Sequence, residues 1–255
     1  MNPKAAAWDR VGGAFWRLGR PSAKPSQAAI DLYLAGMRTN DRVCVVGAST
    51  KSVVAAALDR GLEVSVIDFS SVMCEDLETE IPSARLRCYH RDILAEPEPS
   101  LRGRFDLLIA DRLVNRMERD EIPRLFINMA AMLRPGRELR VGVKIGFYPS
   151  DSLLIEEGRR AGTLSRFFDE RNSTIDYSKA TDELSRIALT HGDIPRETLL
   201  VWYAGRGRES RFELADLSRA VAVAQTSSSG LSSHSVRDLP DADSSVLLTL
   251  RLAAA

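Results

Sequence analysis

A doubly wound α/β fold, built on a mainly parallel seven-stranded sheet, is predicted by three features of this 255-residue chain. From Arg42 onward, short apolar runs alternate with helical stretches, the pattern of crossover units that build parallel sheets. The runs are near-continuous, as in "VCVV" and "FDLLIA", which suits strands covered by helices on both faces. The alternation is preceded by an N-terminal helical arm, and a helical insertion follows the fifth strand.

Taken in order, residues 1–40 predict a partly irregular arm and one helix, "SQAAIDLYLAGM", capped by Ser26. Strands are expected at residues 43–46, 64–67, 86–89, 105–110 and 139–145, with helices at 51–60, 71–80 and 122–133 between them. Two helical stretches, 152–172 and 178–191, then follow each other without a strand and read as an insertion over 151–205. "RFELADLSRAVAVA" is an amphipathic helix, "TSSSGLSSHS" a surface loop with a weak edge strand, and residues 244–253 a last strand. These assignments make residues 1–40 an appendage and 41–255 one sheet domain.

Apolar content of 44% and charged content of 27% are those of a soluble globular protein. Thirty-five Lys and Arg balance 35 Asp and Glu, which removes the electrostatic case for a nucleic-acid or anionic-membrane partner. A small-molecule partner is expected, with the chain a monomer or homodimer. No run reaches the roughly 18 apolar residues of a spanning helix, and the odd set Cys44, Cys74 and Cys88 suits a reducing cytoplasm. Cys88 and His90 share a strand face, but no second pair completes a tetrahedral set, so no metal is expected.

The turn "GAST" after the first strand lies where open α/β sheets bind ligands. Gly47 allows a sharp turn and close approach of a ligand to the backbone, and Ser49 or Thr50 can cap the next helix. A turn that binds nothing can have the same composition. Val45 and Thr50 occupy the two glycine positions of a phosphate-binding P-loop, and Ser49 and Ser52 replace the later glycines of the dinucleotide fingerprint. Both classes are thereby weakened. Asp68 ends the second strand about twenty residues on, where a carboxylate reaches ribose hydroxyls; it would equally serve as a helix cap. Asp92 in "CYHRDIL" is either an adenine acceptor beside Ile93 or a turn aspartate, and His90 and His191 are either bases near neutral pH or structural.

Together, "VCVVGAST", "VSVIDFS", "CYHRDIL", "FDLLIADRLVNRM" and "MLRPGRELRVGV" resemble the class I S-adenosylmethionine (SAM) dependent methyltransferases, of small-molecule type, over residues 42–146. The resemblance implies a Rossmann-like sheet and SAM as cofactor. It implies further that the loop of Gly47, Ser49 and Thr50 approaches the methionine part, that Asp68 and Phe69 lie at the ribose, and that Asp92 and Ile93 lie at the adenine. Asp111 would border both cofactor and acceptor, and the arm, through Trp16 and Arg20, would close over the cofactor as a lid. The family's acidic position in the first strand holds Val45, and Ser49 and Lys51 stand where further glycines occur.

A sulfonium methyl is already electrophilic, so such a site mainly aligns the reactants and excludes water. Candidate catalytic residues are Asp111, Arg112, Tyr177 and His191, with Asn115, Tyr148 and Trp202 as further wall residues. The leading expectation is methyl transfer to a small molecule in specialised metabolism. One alternative is attack on the aminobutyryl carbon of SAM, including intramolecular cyclisation, with release of methylthioadenosine. Another is a non-catalytic binding protein of the same fold.

Overall fold

The computed structural model describes residues 3–19, 24–48 and 50–254, without the side chains of residues 3, 16, 228, 229 and 232–234. The chain opens with α1 (Pro3–Leu18) and α2 (Gln27–Tyr33). Alternation then runs β1 (Arg42–Val46), α3 (Lys51–Asp59), β2 (Glu63–Asp68), α4 (Ser71–Glu80), β3 (Leu86–His90), β4 (Phe105–Asp111), α5 (Ile122–Met132) and β5 (Leu133–Lys144). The insertion holds α6 (Pro149–Ala161), β6 (Phe168–Asp169), β7 (Thr174–Asp176), α7 (Thr181–Arg186), α8 (Arg196–Gly205) and β8 (Arg208–Ser210). α9 (Leu214–Ala224), β9 (Leu231–Asp238) and β10 (Ser245–Leu252) complete it.

The seven-stranded sheet has the order β3-β2-β1-β4-β5-β10-β9. β1 to β5 pair in parallel and β10 runs antiparallel to both β5 and β9. Strand order therefore reverses between β1 and β4, and the carboxyl ends of those strands form the switch-point crevice of such sheets. Helices cover both faces because the central strands are apolar on both: Val43 and Val45 face one core, Cys44 and Val46 the other. α5 and α9 contribute to the second core and α2, α3 and α4 to the first. In α5 the buried residues Ile122, Leu125, Phe126 and Met129 recur at helical spacing.

Serine hydroxyls cap two helices, the first as the sequence predicts. Ser26 Oγ accepts from Ala29 N (3.2 Å) at the start of α2, and Ser70 Oγ accepts from Met73 N (3.1 Å) at the start of α4. Four expectations need correction. The arm is not irregular before residue 19: α1 is a 16-residue helix, whose Gly12 lets it approach α4 so closely that a Cβ there would lie 2.0 Å from Met73 Sδ. The helix expected over 152–172 stops at Ala161, because Gly162 (φ +69°) terminates it in the left-handed region. The helix expected over 178–191 is the short α7. The insertion is not purely helical either, since β6, β7 and β8 form a separate antiparallel sheet whose strands are too short for periodicity to reveal. The insertion has its own core of Leu154, Ile155, Phe167, Ile175, Tyr177 and Leu184. Among the described residues no helix is long and apolar enough to cross a membrane.

α1 packs against both α4 and α8. Its contact with α8 is tight at Gly205, where a Cβ would stand 2.4 Å from Ala7 Cβ. Gly205→Ala is expected to lower stability in urea unfolding by about 1–3 kcal/mol through overpacking, and adding Ala7→Gly should recover part of that loss. An unchanged midpoint for Gly205→Ala would show that the two helices do not meet as described.

Candidate active site

The carboxyl ends of β1, β2, β4 and β5 gather the site. After β1 the chain turns at Gly47 (φ +103°), whose N–H donates to Ile67 O (2.9 Å). Asp68 holds this loop: Oδ2 accepts from Ala48 N (2.7 Å) while Oδ1 accepts from Ser70 N (2.7 Å). Each oxygen keeps a second lone pair, so the carboxylate can still accept from a diol. Burial raises the Asp68 carboxyl above its ordinary value, opposed by the amides of Ser70 and Ala48 and by His90. Ser70 Oγ also reaches Asp9 Oδ1 (2.5 Å), which seats α1 against the end of β2.

Thr50 stands at the helix cap position and is buried, but its hydroxyl makes no capping bond to α3, contrary to one of the expected capping roles. Ser49 and Arg20 lie outside the described residues, as does the side chain of Trp16. Phe69 is half-buried, its carbonyl 3.0 Å from His90 Nε2. Asp92 Oδ1 accepts from Leu94 N (2.9 Å), closing a turn of its own. Ile93 is buried in the core beneath α5, and its carbonyl accepts from Asn128 Nδ2 (2.8 Å).

At the end of β4, Asp111 Oδ1 accepts from Tyr33 Oη (2.7 Å), a fully buried residue of α2. Burial pushes the Asp111 carboxyl up, against the pull of Arg112 and of the tyrosine. Arg112 follows in the left-handed region (φ +54°), its N–H donating to Gly142 O (2.8 Å). Such a conformation in a residue with a Cβ is costly and persists only where its surroundings hold it. Gly142 of β5 pairs with Asp111 and leaves the space the tyrosine fills.

The other two candidates lie elsewhere. Tyr177 is fully buried in the insertion, where its hydroxyl donates to Asp151 Oδ1 (2.5 Å) and accepts from Arg211 Nη2 (2.5 Å). Arg211 also bonds Asp151 Oδ2 (2.6 Å), Glu209 Oε2 (3.2 Å) and Asn115 O (3.0 Å). The arginines beside Asp151 and Glu209 hold both carboxyls below the usual range despite burial. Asn115 in turn bridges to β5 through Lys144 O (2.8 Å) and Lys144 N (2.9 Å). His191 is half-buried with its ring 5.0 Å from that of Phe15 on α1. Asp111 and Arg112 are thus neighbours at the strand end, Tyr177 reaches it through Arg211 and Asn115, and His191 packs on the arm.

Tyr33, Asp151, Glu209 and Arg211 were not anticipated from sequence. Tyr33 reads there as one more apolar position of α2, and the other three are polar residues in segments without a motif. Gly142→Ala would place a Cβ 1.8 Å from Tyr33 Oη and 2.8 Å from Asp111 Oδ1. It should cost about 1–3 kcal/mol of stability, read by chemical unfolding, and adding Tyr33→Phe should return part of it; a neutral Gly142→Ala would refute the packing.

Neither protein-family models nor curated proteins match this chain. Among solved structures, a Rhodobacter sphaeroides protein provisionally named a Zn-dependent alcohol dehydrogenase is 36% identical over 100% of both chains, with a TM-score of 0.94. The CcbJ methyltransferase of Streptomyces caelestis matches with a TM-score of 0.63 at 15% identity, over 98% of this chain and 99% of its own. The Burkholderia thailandensis 1,6-didemethyltoxoflavin N1-methyltransferase, with bound 1,6-didemethyltoxoflavin and S-adenosylhomocysteine, matches with a TM-score of 0.59 at 12% identity, over 97% and 85%. Its strand order, its antiparallel β10 and these likenesses give the chain the fold of the class I SAM-dependent methyltransferases, and at 36% identity over its whole length it belongs to one family with the Rhodobacter sphaeroides protein.

Proposed function

We propose that the chain is a SAM-dependent methyltransferase acting on a small molecule in specialised metabolism. The observation that carries this reading is Asp68. Its carboxylate fastens the Gly47 loop beside the switch point and keeps acceptor capacity for a diol. The small-molecule methyltransferases of the same fold support the reading.

Among the described residues, the zinc in the name of the Rhodobacter sphaeroides protein finds no matching donors. Among the described residues no group of three or more His, Cys, Asp or Glu could hold a metal, and Cys44 is a buried strand residue of β1. The fingerprint glycines of a nicotinamide enzyme are likewise serines at 49 and 52.

In the proposed site, the loop of Gly47, Ser49 and Thr50 borders the methionine part and Asp68 with Phe69 the ribose. Asp92 and Ile93 border the adenine through the turn they form. α1 is the lid. SAM supplies an electrophilic methyl group on its sulfonium. The protein's own work is then to orient an acceptor at Asp111 and Arg112, to exclude water, and to take a proton where the acceptor carries one. Tyr33 positions Asp111. Tyr177 and His191 act from the wall, the first by holding Arg211 and the second by seating the arm. Val45, fully buried, leaves β1 without a carboxylate for the aminobutyryl amine. That observation favours a second reading, transfer from the aminobutyryl carbon, which methylthioadenosine release without an acceptor would identify.

Calorimetry with SAM and S-adenosylhomocysteine is expected to show binding of both, weakened about tenfold or more by Asp68→Ala. If neither binds the unaltered chain at high micromolar concentration, the reading fails. Asp111 has its carboxyl raised, so the proton-accepting form is present above that raised value and is lost as pH falls through it. The rate with a protic acceptor should therefore rise with pH on a limb above the ordinary aspartate value of about 3.9. Asp111→Asn should abolish the limb, and Tyr33→Phe, which removes a bond favouring the carboxylate, should move it upward. A limb unmoved by both changes would exclude Asp111 as the base.

A further inference from the structure

The small sheet of the insertion is polar on one face. Asp169 pairs with Thr174 across β6 and β7, and Asp176 with Arg208 across β7 and β8, so these four residues share that face. With Arg166 and Lys179 they line a cavity of about 200 Å³. A second cavity of about 500 Å³ adjoins it, since Ser165 and Phe168 line both, and it continues past Leu164 and Gly162. Together the two fall in the size range of small-molecule sites, roughly 300–1,000 Å³. Neither is lined by Asp68, Asp111 or Arg112, so this space is separate from the strand-end crevice.

Both signs of charge face the first cavity, and each keeps bonding capacity to spare. Arg166 is exposed, and among the described residues its side chain has no hydrogen bond or ion pair, only a longer-range pull on Glu183. Arg208 gives its Nε–H to Glu118 Oε2 (2.8 Å), and the rest of its guanidinium makes no hydrogen bond among the described residues. Opposite it on β7, Asp176 is nearly buried. Its Oδ1 accepts from Ser178 Oγ (2.5 Å), while Oδ2 has the ammonium of Lys179 at 3.4 Å, on a side chain 61% exposed. Asp169 accepts from Asn172 on both oxygens and retains a lone pair on each. A ligand of one charge would meet its own sign across so small a space. One molecule bearing both charges matches both sides, and a carboxylate fits the guanidinium fork.

We propose that this cavity binds an α-amino acid with an apolar side chain, its carboxylate at Arg166 and Arg208 and its ammonium at Asp176 and Asp169. The first cavity equals the liquid share of about six or seven waters, room for the two charged groups. The side chain then continues into the second cavity, where Phe168 and Leu164 supply apolar wall and Gly162 leaves open space, with no atom within 4 Å of where a Cβ would stand. The inference does not rest on the methyltransferase reading.

The test is calorimetry on the full chain with L-leucine and L-phenylalanine, each against its amide and its N-acetyl form, and with glycine. At least one of the two amino acids should bind about tenfold or more tightly than its amide, which lacks the carboxylate, and than its N-acetyl form, which lacks the ammonium. Glycine should bind more weakly than either. Arg166→Gln, at an exposed position, should bring amino acid and amide level, and Asp176→Asn should do the same for amino acid and N-acetyl form. Arg166→Gln should bind S-adenosylhomocysteine as the parent does, and Asp68→Ala should bind the amino acid as the parent does. No binding of either amino acid at high millimolar concentration, equal binding of the amide, full affinity in Arg166→Gln, or loss of amino-acid binding in Asp68→Ala would each overturn the proposal. If S-adenosylhomocysteine does not bind the parent, the methyltransferase reading falls, while the amino-acid titrations still decide this site.

Discussion

Arg211 is the point on which the two parts of the molecule are joined. It is fully buried, and its guanidinium ties the first turn of α6 through Asp151, the insertion through Tyr177, and the loop after β4 through the carbonyl of Asn115. A buried cation of this kind is tolerable only when every donor is matched, because the cost of stripping water from it exceeds any single bond. That side chain's need for acceptors joins the insertion to the ends of β4 and β5, together with Ser210 N–H, which donates to Met117 O (2.8 Å). Removing Asp151 or Glu209 would leave charge without partners, whereas an apolar replacement of the whole group need not be destabilising.

The same end of the sheet is held a second time, by a different device. Asp68 draws the Gly47 loop and the start of α4 together, and Asp9 of α1 is bonded to the serine that caps α4. α1 continues from there to α8, so a single helix spans both the nucleoside side and the insertion side.

The sheet itself was legible because its apolar runs are long, continuous and separated by helices of ordinary length. Val43 to Val46 and Phe105 to Ala110 are buried throughout, and periodicity had nothing to compete with there. The place of Asp68 at the end of β2 was legible through its distance from the turn. The insertion was not, for a physical reason: strands of two or three residues such as β6, β7 and β8 carry no period. α1 is more regular than the arm its sequence predicts, and Gly12 is what admits Met73 against it. Tyr33 could not be found from sequence, since its partner Asp111 lies far along the chain.

The antiparallel end of the sheet has a consequence for how the molecule assembles. β9 joins the sheet only through β10, and β10 joins it only through β5, with Leu139 opposite Leu250. The insertion and α9 stand between β5 and this hairpin, so the hairpin must find the exposed edge of β5 across the intervening residues 145–230. Contacts of such separation are slow to form. Until they do, β5 presents an open apolar border carrying Leu139, Val141 and Val143, and that interval is when a second chain could add to it.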